Sequence, residues 1–142
     1  MSGAGVISFE LVDGPIEAGQ GRVAASVDAL GEANEVGAVL EFCGVVRRSE
    51  RGRALVALDY EAYPPMTQNE GVRIAQDILE ETGVRAIEVL HSVGRVPVGA
   101  CSFLLRVQSA HRAEGLRAAS AYIERMKQEV PLWKLPVWAG DA

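Results

Sequence analysis

Between Val84 and Val107 three apolar runs, Val84–His91, Arg95–Val98 and Cys101–Val107, follow one another broken only by Gly94 and Gly99. None is long enough for a helix, so they read as adjacent short strands, and the rest of the chain has to fold around a sheet. Two earlier segments share this β-type composition. Gly37–Val46 and Leu55–Tyr63 flank the polar stretch Arg47-Arg48-Ser49-Glu50-Arg51-Gly52-Arg53, and together they predict a long hairpin. Its arginine-rich connection is open to two readings, a solvated turn or a flap over a ligand. Val6–Val12, followed by Asp13-Gly14-Pro15, reads as a first strand and turn.

Helical periodicity occurs in three places. In Arg22–Leu30, Val23, Val27 and Leu30 form a short apolar stripe ahead of Gly31. Pro64–Thr82 carries Val72, Ala75 and Leu79 with Ile74 and Ile78 beside them, and Gly83 supplies the stop. The last helix is expected to start near Ser109, capped by its hydroxyl, to bury Leu116, Ala119, Ile123, Met126 and Val130, and to end at Pro131. Leu132–Trp138, interrupted by proline, suits an edge strand or an ordered tail packed on a site.

A chain of 142 residues with 49% hydrophobic and 23% charged residues is expected to form one domain, residues 1–142, with a core that needs no disulfide or structural metal. The net charge of -5 argues against holding nucleic acid, which needs a basic face to neutralise phosphates. No apolar run approaches the ~20 residues of a membrane span, and the first ten residues lack the features of a secretory signal, so no membrane association and a cytoplasmic location are expected. Cys43 and Cys101 are too far apart for a short metal or redox motif and read as small core residues. No metal site and no resident cofactor are expected.

The basic residues are unevenly chosen: of 14, only Lys127 and Lys134 are lysine, leaving 12 arginines. Arginine stays protonated at any working pH, whereas a desolvated lysine can lose its proton and act as base or nucleophile. An isolated lysine is more often a plain surface cation, so position has to decide. Lys127 lies four residues after Ile123, at the border of the buried stripe, and Lys134 stands between Trp133 and Leu135, an apolar setting that would lower an amine pKa. Ser109-Ala110-His111-Arg112 occupies a strand-to-helix junction, where free N–H groups and the helix dipole favour an anion. His111 reads equally as a capping histidine, Arg112 as an exposed first-turn residue, and Arg47 as a solvated strand end or a fork onto phosphate or carboxylate. His91 reads as a satisfied structural histidine, and Glu61 with Tyr63 as a structural corner.

Taken in order, Gly37-Ala38-Val39 with Phe42-x-Gly44-x-Val46-Arg47, Glu61-x-Tyr63-Pro64-x-Met66, Ser109-Ala110-His111-Arg112 and Lys127-x3-Pro131-x-Trp133-Lys134 resemble the motifs of the large, catalytic subunit family of molybdopterin synthase, over residues 37–134. The resemblance implies an α+β fold of the α/β-hammerhead type, with a mixed or antiparallel sheet, two main helices and a short N-terminal helix. It implies conversion of cyclic pyranopterin monophosphate (precursor Z) to molybdopterin, a step of molybdenum cofactor biosynthesis. The sulfur would come from the thiocarboxylated C-terminus of a small ubiquitin-like partner subunit, within a heterotetramer built on a homodimer. Carried over by position, Lys127 and Lys134 are the expected catalytic lysines. Val45, Val46, Arg47, His111 and Arg112 are the expected substrate contacts, with His111 and Arg112 supplied by the dimer mate. Two positions depart from the family pattern: Val45 stands where lysine is common, leaving a main-chain role, and Leu135-Pro136 follows Lys134 where a second basic residue is common. The short tail that follows, ending at Ala142, motivates an alternative, a non-catalytic scaffold module that binds an anion or pterin phosphate.

Overall fold

The computed structural model describes residues 5–17 and 35–140. Among these the elements run β1 (Val6–Asp13), β2 (Ala38–Val45), β3 (Ser49–Glu50), β4 (Arg53–Ala62), α1 (Met66–Thr82), β5 (Ala86–Pro97), β6 (Cys101–Ser109), α2 (Arg112–Glu129) and β7 (Leu132–Trp138). The strands form one sheet in the order β2-β6-β5-β4-β3, with β1 alongside β5 and β7 alongside β4. Only β1 and β5 run parallel; the other pairs are antiparallel. This is the expected α+β arrangement of a mixed sheet with two main helices. The expected short helix Arg22–Leu30 lies outside the described residues.

Two strand expectations change. Val84–His91 and Arg95–Val98 are one continuous strand, β5, because Gly94 takes a left-handed φ of 85° and lets the strand carry on past the irregularity. The long hairpin does not form either. β2 pairs with β6, and β4 pairs with β5 and β7. After β2 the chain follows the β5–β6 turn, where the Val46 N–H donates to Ala100 and its carbonyl accepts from Gly99. The hairpin that does exist is short: Glu50 faces Arg53 across Arg51-Gly52, whose φ values of 51° and 76° mark a two-residue turn of the type I′ kind.

Both helices pack on one face of the sheet. The main core gathers Ile74, Ile78, Tyr122 and Met126 from the helices against Val89, Leu105 and Val107 from β5 and β6. α1 stops as expected at Gly83, in the left-handed conformation, with its N–H donating to the Leu79 carbonyl at 2.9 Å. α2 differs in two ways. Its buried positions Gly115, Ala118 and Tyr122 lie one residue ahead of the Leu116, Ala119 and Ile123 read from periodicity, while Met126 and Val130 are buried as expected; Leu116 is 57% exposed. Its first turn is capped by the Glu114 carboxylate, which accepts from the His111 N–H at 3.1 Å, rather than by Ser109. The Ser109 hydroxyl is buried and donates to the His111 carbonyl at 2.6 Å. Cys101 is buried as expected, but Cys43 is exposed, because β2 turns it away from the helices.

The helices touch where Gly71 leaves room for the Phe9 ring, and the buried Tyr122 hydroxyl donates to the Gly71 carbonyl at 3.1 Å. A Cβ at position 71 would overlap that ring. Alanine is the better helix former by roughly 1 kcal/mol, yet overpacking typically costs 1–3 kcal/mol. Gly71→Ala is therefore expected to destabilise the protein by about 1 kcal/mol, and by no more than about 2, in urea unfolding, against the propensity trend.

On the solvent side the helices are joined by ion pairs: Arg73 meets Glu70 and Glu129, and Arg125 meets Glu129 and Asp77, at 2.8–3.1 Å. The Arg125 and Arg73 guanidiniums hold the Glu129 carboxyl down at about 2, from an ordinary 4.5. A depressed carboxylate contributes stability that is fully present above its unfolded value and is lost as pH falls through the folded one. Glu129→Gln is accordingly expected to be less stable than the wild type at pH 7. The gap should close as the pH is lowered from 4.5 towards 2, checked by urea unfolding at a series of pH values.

Candidate active site

Strand alternation decides which side chains meet beside α2. Phe42, three residues before the end of β2, places its ring 6.0 Å from Phe103 on β6, on the helix side of the sheet. The last turns of α2 bring Ile123, Met126 and Lys127 over the same region, and β7 returns along β4 with Lys134 opposite Tyr60. These elements enclose a cleft of about 580 Å³, within the range of small-molecule sites. Arg47 and Glu50 line it from the chain that follows β2.

β7 is paired along β4, and its entry is fixed further by one hydroxyl. Thr67, buried at the start of α1, accepts from the Tyr63 N–H at 2.8 Å and donates to the Pro131 carbonyl at 2.7 Å. That pair of bonds ties the β4–α1 corner to the entry of β7, three residues before Lys134. The corner containing Glu61 and Tyr63 thus has the structural role read for it, with the Tyr63 hydroxyl donating to Glu61 at 3.2 Å.

The floor of the cleft is polar and aromatic. The Tyr60 hydroxyl and Ser102 Oγ are hydrogen-bonded at 3.0 Å, and the Tyr60 ring sits edge-on to His91 with centroids 5.0 Å apart. His91 is buried, and its Nδ1 donates to the Ser92 carbonyl at 2.9 Å. Burial pushes its pKa below the ordinary histidine value, which favours the neutral ring with Nε2 as its unprotonated nitrogen. His91 is therefore a satisfied histidine, as read, but it also lines the cleft. Cys101 packs in a separate cluster with Ile16, Leu90 and Leu104, where burial and the neighbouring Cys43 thiol push it up to about 12, so that sulfur stays protonated.

Of the expected site residues, Val45, Val46, Arg47, Lys127 and Lys134 come together in this cleft. Val46 is buried and its N–H and carbonyl are taken by Ala100 and Gly99, so it contributes wall. Lys127 has no hydrogen bond or ion pair among the described residues. Lys134 differs from its sequence setting. Trp133 and Leu135 lie opposite Glu61 and Asp59 on the other face of the strand, while the Lys134 ammonium meets the Glu50 carboxylate at 3.2 Å and is 55% exposed. The apolar surroundings inferred from its neighbours are absent because successive strand residues point to opposite faces.

His111 and Arg112 do not join this group. They are exposed at the N-terminus of α2, whereas Lys127 is in its last turn. Sixteen residues of helix separate His111 from Lys127, about 24 Å at 1.5 Å per residue. Within this chain the Glu114 carboxylate occupies the helix N-terminus, and the backbone amides of Glu114 and His111 hold its carboxyl below the ordinary glutamate value. Sequence reasoning missed Glu50, Tyr60 and Ser102. They carry no motif, and only strand pairing assembles them.

The MoaE protein family model matches residues 16–129. The molybdopterin synthase catalytic subunit of Homo sapiens is 41% identical over 102 residues, covering 72% of this chain and 54% of that protein. That of Bacillus subtilis is 36% identical over 107 residues, covering 75% of this chain and 68% of that protein. The chain thus spans about half the length of the mammalian relatives it matches, 54% for human and 51% for rat. The crystal structure of molybdopterin synthase from Staphylococcus aureus superposes with a TM-score of 0.76 at 32% identity, over 93% of this chain and 92% of that one. The complex of subunits 1 and 2 of molybdopterin-converting factor from Helicobacter pylori, at 21% identity and a TM-score of 0.70, shares the fold. The fold is shared with these structures, and the chain belongs to the MoaE protein family.

Proposed function

We propose that the chain is the catalytic subunit of a molybdopterin synthase, a sulfurtransferase that converts cyclic pyranopterin monophosphate to molybdopterin. The observation that carries this reading is the convergence of Arg47, Lys127 and Lys134 on one cleft of about 580 Å³. Three cations around an aromatic-walled space suit a flat heterocycle bearing a phosphate. They also suit a second anion, a thiocarboxylate on the C-terminal tail of a small ubiquitin-like partner. The Helicobacter pylori relative, a complex of subunits 1 and 2, supports a partner of this kind.

In this reading Arg47 holds phosphate, Val45 and Val46 shape the wall, and the two lysines stand at the reacting centre. Lys127, free of any ion pair among the described residues, is the amine placed to move a proton or to hold an intermediate covalently. His111 and Arg112 lie about 24 Å from Lys127 along α2, so they serve a cleft only from a second copy of the chain. A homodimer in which each α2 N-terminus completes the neighbour's cleft, carrying one small partner per site, accounts for both placements.

Lys127→Ala is expected to lower turnover with thiocarboxylated partner by at least about a hundredfold while leaving the unfolding midpoint near that of the wild type, since alanine preserves the helix. Full activity in that variant would remove Lys127 from the mechanism. Wild-type protein that binds the pterin phosphate in calorimetry but gives no product with the partner present would favour the scaffold reading instead. The shared site has its own test. His111→Ala and Lys127→Ala are each expected to be inactive. After random mixing and reassociation, about a quarter of the sites regain both residues, because half the dimers are mixed and each has one intact site. No recovery on mixing would place His111 outside the neighbour's cleft.

A further inference from the structure

The cleft that collects three cations also contains a carboxylate. Glu50 is the one acidic side chain among its described lining residues, and it is 19% exposed. A carboxylate beside a site for anions opposes binding of the ligand, so its presence calls for a role. Its geometry supplies one. Glu50 Oε1 lies 3.2 Å from Lys134 Nζ, and this is the hydrogen bond that Lys134 makes among the described residues.

Glu50 is not a loose surface residue that happens to meet a lysine. It is the last residue of β3, directly before the two-residue turn Arg51-Gly52, and it faces Arg53. Arg51 holds a left-handed φ of 51°, a conformation that non-glycine residues seldom adopt. On the far side of the turn, the Arg53 guanidinium stacks 4.3 Å over the Trp138 ring, and the Ala54 carbonyl accepts from the Ala139 N–H at 2.9 Å. The hairpin is thus anchored to the end of β7 and the residue just beyond it, and its tip directs Glu50 at Lys134 in the middle of that strand.

We propose that Glu50 is the positioning residue of Lys134. Its carboxylate orients the ammonium over the cleft before ligand arrives and competes with the incoming anion for it. The proposal rests on the reading of Lys134 as a catalytic amine. A residue with only a structural role would lower turnover and weaken substrate binding together. An internal competitor that also orients the amine moves the two constants apart.

The test uses the full chain with its thiocarboxylated partner and cyclic pyranopterin monophosphate. For Glu50→Gln, KM for the pterin is expected to fall about threefold, as the repulsion of an anion is removed. In the same variant kcat is expected to fall about tenfold, as the amine loses its fixed orientation. Glu50→Asp keeps the charge on a shorter stem and is expected to retain the wild-type KM with an intermediate kcat. Wild-type values of both constants in Glu50→Gln would overturn the proposal, and so would a raised KM. Lys134→Ala in the same assay separates the two levels of inference. If it is fully active, the catalytic reading of Lys134 fails. If it is inactive while Glu50→Gln is unchanged, only the positioning role fails. A second readout is independent of turnover. With two lysines in the chain, lysine-selective 13C labelling yields two ε-methylene signals, and Lys134→Arg assigns one of them. Glu50→Gln is expected to move the Lys134 signal and leave that of Lys127 in place; an unmoved Lys134 signal would overturn the ion pair and the proposal with it.

Discussion

One strand, β5, is the constraint on which the rest of the architecture depends. Its first half is hydrogen-bonded on both edges, to β1 in parallel and to β6 antiparallel, and its last residues, Gly94–Pro97, pair instead with β4. The left-handed Gly94 sits where β5 passes from one set of neighbours to the other. β-Branched and larger residues rarely adopt that conformation, so glycine there lets a single strand belong to both halves of the sheet. The half shared with β6 carries the helices. The half shared with β4 leads to β7 and Lys134.

The second constraint joins those halves from outside the sheet. Thr67, at the start of α1, holds the carbonyl of Pro131, so the beginning of β7 is set by the same helix that packs the main core. α2 packs against α1 through Gly71 and Tyr122, and its final turn presents Lys127. The two lysines therefore reach one cleft by separate routes that share α1. Loss of helix–helix packing would displace both.

Electrostatics then give the cleft its character. The negative net charge does not extend into it: Arg47, Lys127 and Lys134 gather there against a single described carboxylate, while Glu70, Asp77 and Glu129 are engaged with Arg73 and Arg125 along the helices. Beneath the cations, a neutral buried His91 and the Tyr60–Ser102 pair provide hydrogen-bonding groups without added charge. A floor of that kind suits a polar, uncharged ring, with the anionic ends of a ligand held nearer the rim.

What the sequence determined by itself was local. Gly83 ends α1 because only a residue tolerant of positive φ closes a helix that way, and the apolar periodicities locate both helices and most strands. The ordered motifs and the choice of lysine at two of 14 basic positions mark Lys127 and Lys134 as candidates. Tertiary structure decided the pairing. β2 lies beside β6 and not β4, a choice made by contacts between segments some sixty residues apart that no local pattern encodes. It also decided facing. Periodicity placed the first turns of the buried stripe of α2 one residue late, though not Met126 or Val130, and Trp133 and Leu135 gave Lys134 an apolar setting that strand alternation removes. Glu50, Tyr60 and Ser102 carry no spacing signal, because their proximity to Lys134 and to one another is created by the sheet register and a two-residue turn. Sequence names residues with unusual chemistry; the long-range pairing of strands decides which of them meet.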